Sequence, residues 1–244
     1  MHRCEGSRQS QKVQTPIYSI EYCSALIESL EHNEDACDVI VLLSLTGLRQ
    51  SECRGLRWTD WNEQEATLDI SRAVWRTKVG RTKNVASEAT IPLIGLVQEL
   101  LQKRRERVKP NADDYIFEGK KNRAPLDLHN LANRIIIPAI EKCVVCRLSK
   151  VDHKKQDHPF QLDETFQWRG WHGFRRGLGT NLLALDVPPS VIAKILRHSD
   201  PRITLAFYAK SKESESRVAM EKLEKHIRTY LNQPAGVLVG GKEV

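Results

Sequence analysis

Long hydrophobic runs are missing from this sequence of 244 residues. The longest, Val39 to Leu43 with Leu45 close behind, is far shorter than the ~20 apolar residues that a membrane-spanning helix needs. The first sixteen residues are polar and contain no apolar core of the kind that a secretory signal requires. We therefore expect a soluble, cytoplasmic protein whose six cysteines are reduced or metal-bound rather than joined in a disulfide framework.

Internal repeats and long low-complexity segments are absent as well. The length suits one large domain or two small ones, and we expect one compact unit over residues 15–231. Residues 1–14 show no hydrophobic period, so they are expected to form a flexible leader, and the glycine-rich residues 232–244 a flexible tail.

Acidic residues are fewer than basic ones. The chain has 31 Asp and Glu against 38 Lys and Arg, which gives a formal net charge of +7 and a pI near 9.1. This balance favours a polyanionic partner. Nucleic acid is the first candidate, and an anionic membrane surface is the second.

Apolar residues recur with helical spacing along most of the chain. Ala66–Trp75 is expected to form one strand and Thr90–Leu93 its return strand, with a basic hairpin between them, and Tyr115–Phe117 is expected to be a short extended piece. In the helix predicted over 128–140, Pro138 should bend or restart the helix. Helices are predicted near 20–30, 34–45, 96–108, 128–140, 173–186, 191–196, 203–210 and 217–231, with a short one starting near Ser51.

The segment from Trp171 to Lys210 contains residue types that could grip a phosphodiester and attack it. Arg175 offers forked donors to phosphate oxygens. His172 and His198 can donate a hydrogen bond or move a proton near neutral pH. The hydroxyl of Tyr208 can form a covalent intermediate.

Two further cations belong to other parts of the chain. Arg49 follows Gly47, which is expected to end a helix, and taken alone this arginine could simply cap carbonyl groups. Lys83 lies in the basic hairpin, where it could reach a ligand or be merely solvated. Neither residue identifies a site by itself.

Cysteine and histidine cluster in an insert at 141–167. Cys143, Cys146, His153 and His158 follow the pattern C-x2-C-x6-H-x4-H. Two thiolates and two imidazoles are sufficient for a closed tetrahedral zinc site, and a polar loop would gain stability from it. The middle spacer is shorter than in the common zinc finger. The alternative is a buried Cys143 with two solvent-exposed histidines, and both interpretations stay open.

Five motifs follow one another along the chain: Thr46-Gly47-Leu48-Arg49-Gln50-Ser51-Glu52, Thr82-Lys83 before Ile91-Pro92-Leu93, His172-x-x-Arg175, His198-Ser199, and Tyr208. Their order resembles the catalytic domain of the tyrosine recombinases, the phage-integrase family. The resemblance extends from about Thr15 to Tyr230. It implies an α+β, mainly α-helical fold, an integrase-like catalytic domain with a small antiparallel three-stranded sheet.

The resemblance also implies roles for the cationic residues. Attack of a tyrosine on a DNA phosphate builds negative charge on the non-bridging oxygens, which fixed cationic donors stabilise. Arg49 and Arg175 would clamp the scissile phosphate. His198 would donate a hydrogen bond to it, and His172 would assist removal of the proton from the nucleophile.

Cleavage and religation would follow from the remaining residues. Lys83 would protonate the leaving 5′ oxygen, and Tyr208 would become joined to the 3′ phosphate. The phosphotyrosine keeps the bond energy, so a 5′ hydroxyl can religate the strand without ATP, metal or another catalytic cofactor. Glu52, by analogy, would brace the Arg49 segment. Double-stranded DNA and further copies of the chain, as a dimer or tetramer on DNA, are the expected partners, with no role for a membrane.

The sequence departs from the family pattern in three respects. Many relatives carry glycine where Arg197 stands and histidine where Arg176 stands. Family integrases also usually have an N-terminal helical domain that clamps DNA, and we expect this core-binding domain to be missing here, or the chain to be a fragment. Two other interpretations remain: a non-catalytic helix-turn-helix repressor built from Pro188–Lys210, and an enzyme similar to type IB topoisomerases.

Overall fold

The computed structural model of the chain describes residues 17–30, 32–81, 89–119, 123–163 and 166–198. All of them belong to one compact unit, Met1–Pro201. Lys83, Tyr208, the leader, the tail and the helices predicted at 203–210 and 217–231 lie outside the described residues. Among the helices that are described, none is long and apolar enough to cross a membrane.

Helices account for most of the described regular structure, as predicted. Ser19 and Asn33 begin the first two helices, because their side chains accept hydrogen bonds from the backbone N–H groups of Tyr22 and Ala36. The described helices are α1 (Ile20–Glu28), α2 (Glu34–Thr46), α3 (Gln50–Gly55), α4 (Gly95–Val108), α5 (Leu128–Leu131), α6 (Ile137–Ile140), α7 (His172–Ala184) and α8 (Pro189–Ile195).

Pro138 restarts a helix, as the sequence predicted. A proline has no N–H to donate and its ring collides with the carbonyl four residues earlier. The wider π-helical segment Ala132–Ile136 precedes Pro138 and separates α5 from α6. This local widening lets the chain run on from Leu128 to Ile140 in spite of the proline.

The predicted three-stranded antiparallel sheet is present. It consists of β1 (Trp61–Asn62), β2 (Thr67–Ile70) and β5 (Ala89–Pro92) in the order β1-β2-β5. In this register, Leu68 of β2 lies opposite both Trp61 and Ile91, and all three side chains are buried.

The prediction of one continuous strand over Ala66–Trp75 is wrong. β2 ends at Ile70, and β3 (Arg72–Trp75) pairs with β4 (Lys78–Arg81) in a separate two-stranded sheet. Contacts with α3 hold β3 apart, since the Arg54 guanidinium donates to the carbonyls of Val74 and Arg76. These contacts join distant parts of the sequence, so alternation of side chains could not reveal the break.

The core forms around α2, which packs against α1, α4 and α7. Its residues Val39, Ile40 and Leu43 are fully buried. The backbone of Tyr18 lies so close to α7 that a Cβ on Gly177 would stand 2.1 Å from the Tyr18 carbonyl oxygen. Only glycine fits there, and the close contact fixes α7 against the segment that precedes α1.

Candidate active site

A tight turn after α2 places Arg49 at the start of α3. Gly47 ends α2 in a left-handed conformation, with a φ of 61°, and its N–H donates to Leu43. A Cβ on Gly47 would lie 2.8 Å from the side chain of Leu196, which precedes His198. The left-handed backbone conformation therefore favours glycine in the Thr-Gly-Leu-Arg motif, and a larger residue would also have to displace Leu196.

Glu52 braces the segment that carries Arg49, as the resemblance implied. Its carboxylate accepts the Arg49 backbone N–H at 2.9 Å and Arg49 Nη1 at 2.6 Å. Glu52 is buried, and burial alone would raise the pKa of its carboxyl group. The charge of Arg197 and the hydrogen bonds from Arg49 outweigh this effect, so the pKa of Glu52 lies below its ordinary value. The carboxylate is therefore ionised at neutral pH.

Helix α7 contributes His172 in its first turn and Arg175 one turn later. Arg175 is 2% exposed, and its guanidinium ties two other elements together. Nη1 donates to the Gly47 carbonyl at 2.7 Å, and Nη2 donates to the carbonyl of Leu196. The arginine thus joins the α2–α3 turn to the end of α8, with its charge held between them.

The end of α8 brings in Arg197 and His198. The His198 N–H donates to the Ala193 carbonyl at 3.0 Å, and Arg197 takes a left-handed conformation with a φ of 51°. Arg197 is buried, and its Nη2 donates to Glu52 at 2.9 Å. His198 is half-buried beside these groups.

The arginines shift the titration of both histidines. Partial burial and then the charges of Arg175 and Arg49 lower the pKa of His198 to about 4. The pKa of His172 is lowered by loss of hydration and then by Arg176, Arg175 and Arg49, although His172 is exposed to solvent. Both imidazoles are consequently neutral at pH 7.

Burial and neighbouring positive charges also shift the pKa of Arg175. Burial, and then the positive charges of Arg49 and Arg197, lower the pKa of Arg175 to about 9. An anion bound beside these guanidinium groups would relieve their repulsion. The arrangement is therefore suited to a ligand such as a phosphate group.

A cleft of about 940 Å³ opens beside this cluster. Arg49 and His172 line one side of it, and the turn between β3 and β4 lines another. That turn presents Trp75, which is 72% exposed, and Arg76. Arg49 and His172 are thus accessible from a surface that also carries Arg54 and Arg76.

Four of the six residues predicted for catalysis belong to this arrangement. Arg49, His172, Arg175 and His198 come from three separate parts of the sequence and act on one another electrostatically. Lys83 and Tyr208 lie outside the described residues, as does Ser199 of the His-Ser motif. Their places in the site remain predictions.

Arg197 belongs to the site, although the sequence marks it only as a departure from the glycine of many relatives. Its left-handed backbone explains why glycine suits this position. Nε and Nη1 of Arg197 are buried without a hydrogen-bond partner among the described residues. Its pairing with Glu52 spans 145 positions, so no local pattern could indicate it.

Glutamine in place of Glu52 is expected to destabilise the fold by roughly 3 kcal/mol, because it leaves the buried Arg197 charge without its carboxylate. The free energy of unfolding in urea measures the effect. Glu63→Gln is the matched control, since Glu63 pairs with Arg105 at the surface and should matter far less. Equal losses in both variants would contradict the proposed role of the buried pair.

The curated proteins that are similar to this chain are named as recombinases or integrases. No protein-family model matches the chain. It is 24% identical over 218 residues to a tyrosine recombinase XerC-like protein of Caldanaerobacter subterraneus subsp. tengcongensis, covering 81% of this chain and 51% of the relative. It is also 24% identical over 213 residues to prophage integrase IntF of Escherichia coli K12, covering 85% and 37%. The chain therefore spans about half, or less, of these relatives.

Solved structures with a similar fold are also named as integrases or recombinases. The Tn1549 transposon integrase in complex with transposon right-end DNA has a TM-score of 0.65 at 20% identity, covering 88% of this chain and 68% of that one. The XerA recombinase gives a TM-score of 0.55 at 16% identity, with 88% and 65% covered. The fold is that of integrase catalytic domains, and the predicted resemblance to the tyrosine recombinase family is confirmed.

Proposed function

We propose that this chain is the catalytic region of a site-specific DNA recombinase, which cleaves and religates DNA through a 3′-phosphotyrosine intermediate. One observation carries the proposal: Arg49, His172, Arg175 and His198 act on one another electrostatically, and Arg49 and His172 line an open cleft. A phosphodiester is an anion that this arrangement could bind. The relatives and structural neighbours are recombinases and integrases, and some of the neighbours were solved with DNA.

In the proposed reaction, Arg49 and Arg175 bind the non-bridging oxygens of the scissile phosphate. Arg175 is already fixed by two carbonyls, so little reorganisation accompanies charge development in the transition state. The neutral His198 donates an N–H to a phosphate oxygen. These donors stabilise the pentacovalent transition state more than the ground state.

The covalent step moves one proton at each end of the reacting phosphorus. The Tyr208 hydroxyl gives its proton to the neutral His172 while its oxygen bonds to phosphorus. The bond from phosphorus to the 5′ oxygen breaks, and Lys83 supplies a proton to that oxygen. Reversal by a 5′ hydroxyl from another strand religates the DNA, so the cycle consumes neither ATP nor a cofactor.

The natural assembly that we propose is two or four copies of the protein on double-stranded DNA, in the cytoplasm. The formal charge of +7 supports binding to DNA, and such binding should weaken steeply with added salt. Recombination joins strands from two duplexes, which explains the need for several copies.

Trapping on nicked DNA tests the function directly. A nick just 3′ of the cleavage point makes the released fragment, which carries the 5′ hydroxyl, short enough to diffuse away. Religation then fails, and the protein stays joined to the DNA. A pool of nicked duplexes with randomised sequence represents the unknown target. We expect an adduct that survives denaturant, and sequencing of the trapped DNA would identify the site.

The same experiment separates the other candidate functions. A helix-turn-helix repressor would bind DNA without forming an adduct under any condition. An enzyme of the topoisomerase IB kind would form the adduct without sequence preference and relax supercoiled plasmid. Absence of an adduct across the whole pool would refute the proposed function.

A further inference from the structure

The insert that precedes α7 brings four metal-binding side chains together. Cys143 and Cys146 lie in a tight turn, where the Arg147 N–H donates to the Cys143 carbonyl at 2.9 Å. The Cys143 N–H donates in return to Leu148, also at 2.9 Å. Arg147 takes a left-handed conformation with a φ of 60°, which turns the chain back after the second cysteine. Both sulfur atoms thus belong to one compact turn.

Two histidines approach this turn from a later part of the insert. His153 lies on the 3-10 turn Asp152–Lys155 and is 7% exposed. His158 Nε2 stands 3.2 Å from His153 Nε2 and 3.6 Å from the sulfur of Cys143. One ligand atom from each of the four residues lies within 4.8 Å of all the others.

Two of these separations match a tetrahedral site. Zinc bonds of about 2.3 Å to sulfur and 2.05 Å to nitrogen imply about 3.3 Å between two nitrogens and about 3.6 Å between nitrogen and sulfur. The two measured distances agree with both values. We propose that Cys143, Cys146, His153 and His158 bind one zinc ion, which is structural because four protein ligands leave no open position.

The surroundings of the histidines favour a metal over a simple polar cluster. The second ring nitrogen of His158, Nδ1, lies 3.2 Å from the Asp157 carboxylate, which is the kind of partner that orients a metal-binding histidine through its other nitrogen. His153 packs edge-on against Phe160, which holds its ring toward His158. A redox disulfide of the two cysteines would need neither imidazole.

A structural ion would replace a missing hydrophobic core. Three of the aliphatic side chains in the insert, Val144, Val145 and Val151, point to solvent with exposures of 39%, 60% and 64%. Little apolar area is therefore buried to fix this polar segment. Metal binding can supply that stability instead, because its free energy is gained only in the folded state.

Metal analysis of the full chain, purified without a histidine tag, tests the site. We expect about one zinc ion per chain, and a lower unfolding temperature after a chelator removes it that zinc restores. Replacement by cobalt should give the absorption bands of a tetrahedral ion with thiolate ligands. Protein that contains no zinc, or whose unfolding temperature does not respond to added zinc, would refute the proposal.

Two variants locate the ion. Cys146→Ser should lose most of the zinc, and Cys146 is chosen because it is only partly buried. Cys37→Ser is the matched control, since Cys37 is also partly buried and donates to the Leu30 carbonyl outside the insert. Equal zinc content in both variants would place the ion elsewhere. If Cys146→Ser does not fold, His158→Asn and the zinc response of the unaltered chain decide the question.

Discussion

Phenylalanine in place of Tyr208 is expected to abolish the denaturant-stable adduct on nicked DNA, with a loss of at least about 10³-fold. The change removes only the attacking oxygen and leaves the aromatic ring. DNA binding should consequently persist, with the same steep dependence on salt. The measurement compares covalent adduct with total bound DNA at one salt concentration.

Tyr115→Phe is the matched control for this prediction. Tyr115 lies in a described part of the chain, where its ring faces the guanidinium of Arg57 at 5.0 Å. Loss of its hydroxyl should leave the adduct unchanged. Persistence of the adduct in the Tyr208 variant would show that another nucleophile acts, and proteolysis of the adduct would identify it.

The helices were largely predictable because local physics determines them. The apolar stripe of α2, its Asn33 cap and its glycine stop lie within one stretch of sequence. The small sheet was predictable in outline for the same reason. The separation of β3 from β2 was not, because it depends on hydrogen bonds from Arg54, whose position relative to Val74 only the tertiary structure fixes.

The site, like the fold, was predictable only where its residues belong to recognisable motifs. Arg49 and Arg175 were predicted through the order of motifs, since nothing in their local sequence distinguishes a phosphate clamp from a surface cation. Their convergence needs Gly47 and the end of α8 to meet, which is a tertiary event. The ion pair of Glu52 with Arg197 shows the limit clearly, because two buried charges look like ordinary surface residues in the sequence.

The cysteine and histidine insert gives an intermediate case. The spacing alone leaves both zinc and a solvated loop open, because the middle spacer differs from common zinc fingers. The decisive information is the burial of His153 and the direction of His158 Nε2, which depend on Phe160 and Asp157. Neighbours of this kind leave no periodic signal.

Alanine in place of Arg175 is expected to reduce cleavage by about 10²–10³-fold. Arg175 supplies a buried charge beside the proposed phosphate site, where its interaction with transition-state charge is little screened. Loss of one phosphate contact should reduce the slope of log affinity against log salt by only about one. Cleavage should therefore fall much more than binding.

Two further variants separate chemistry from folding. Arg175 also holds the carbonyls of Gly47 and Leu196, so its removal can weaken the fold. Arg175→Lys keeps the charge but cannot hold both carbonyls as a guanidinium fork does, and it should still cleave at least about 10²-fold more slowly. Arg105→Ala, which removes a surface charge paired with Glu63, should leave cleavage unchanged. Normal cleavage by folded Arg175→Ala protein would contradict the phosphate clamp, because the buried guanidinium would then serve packing alone.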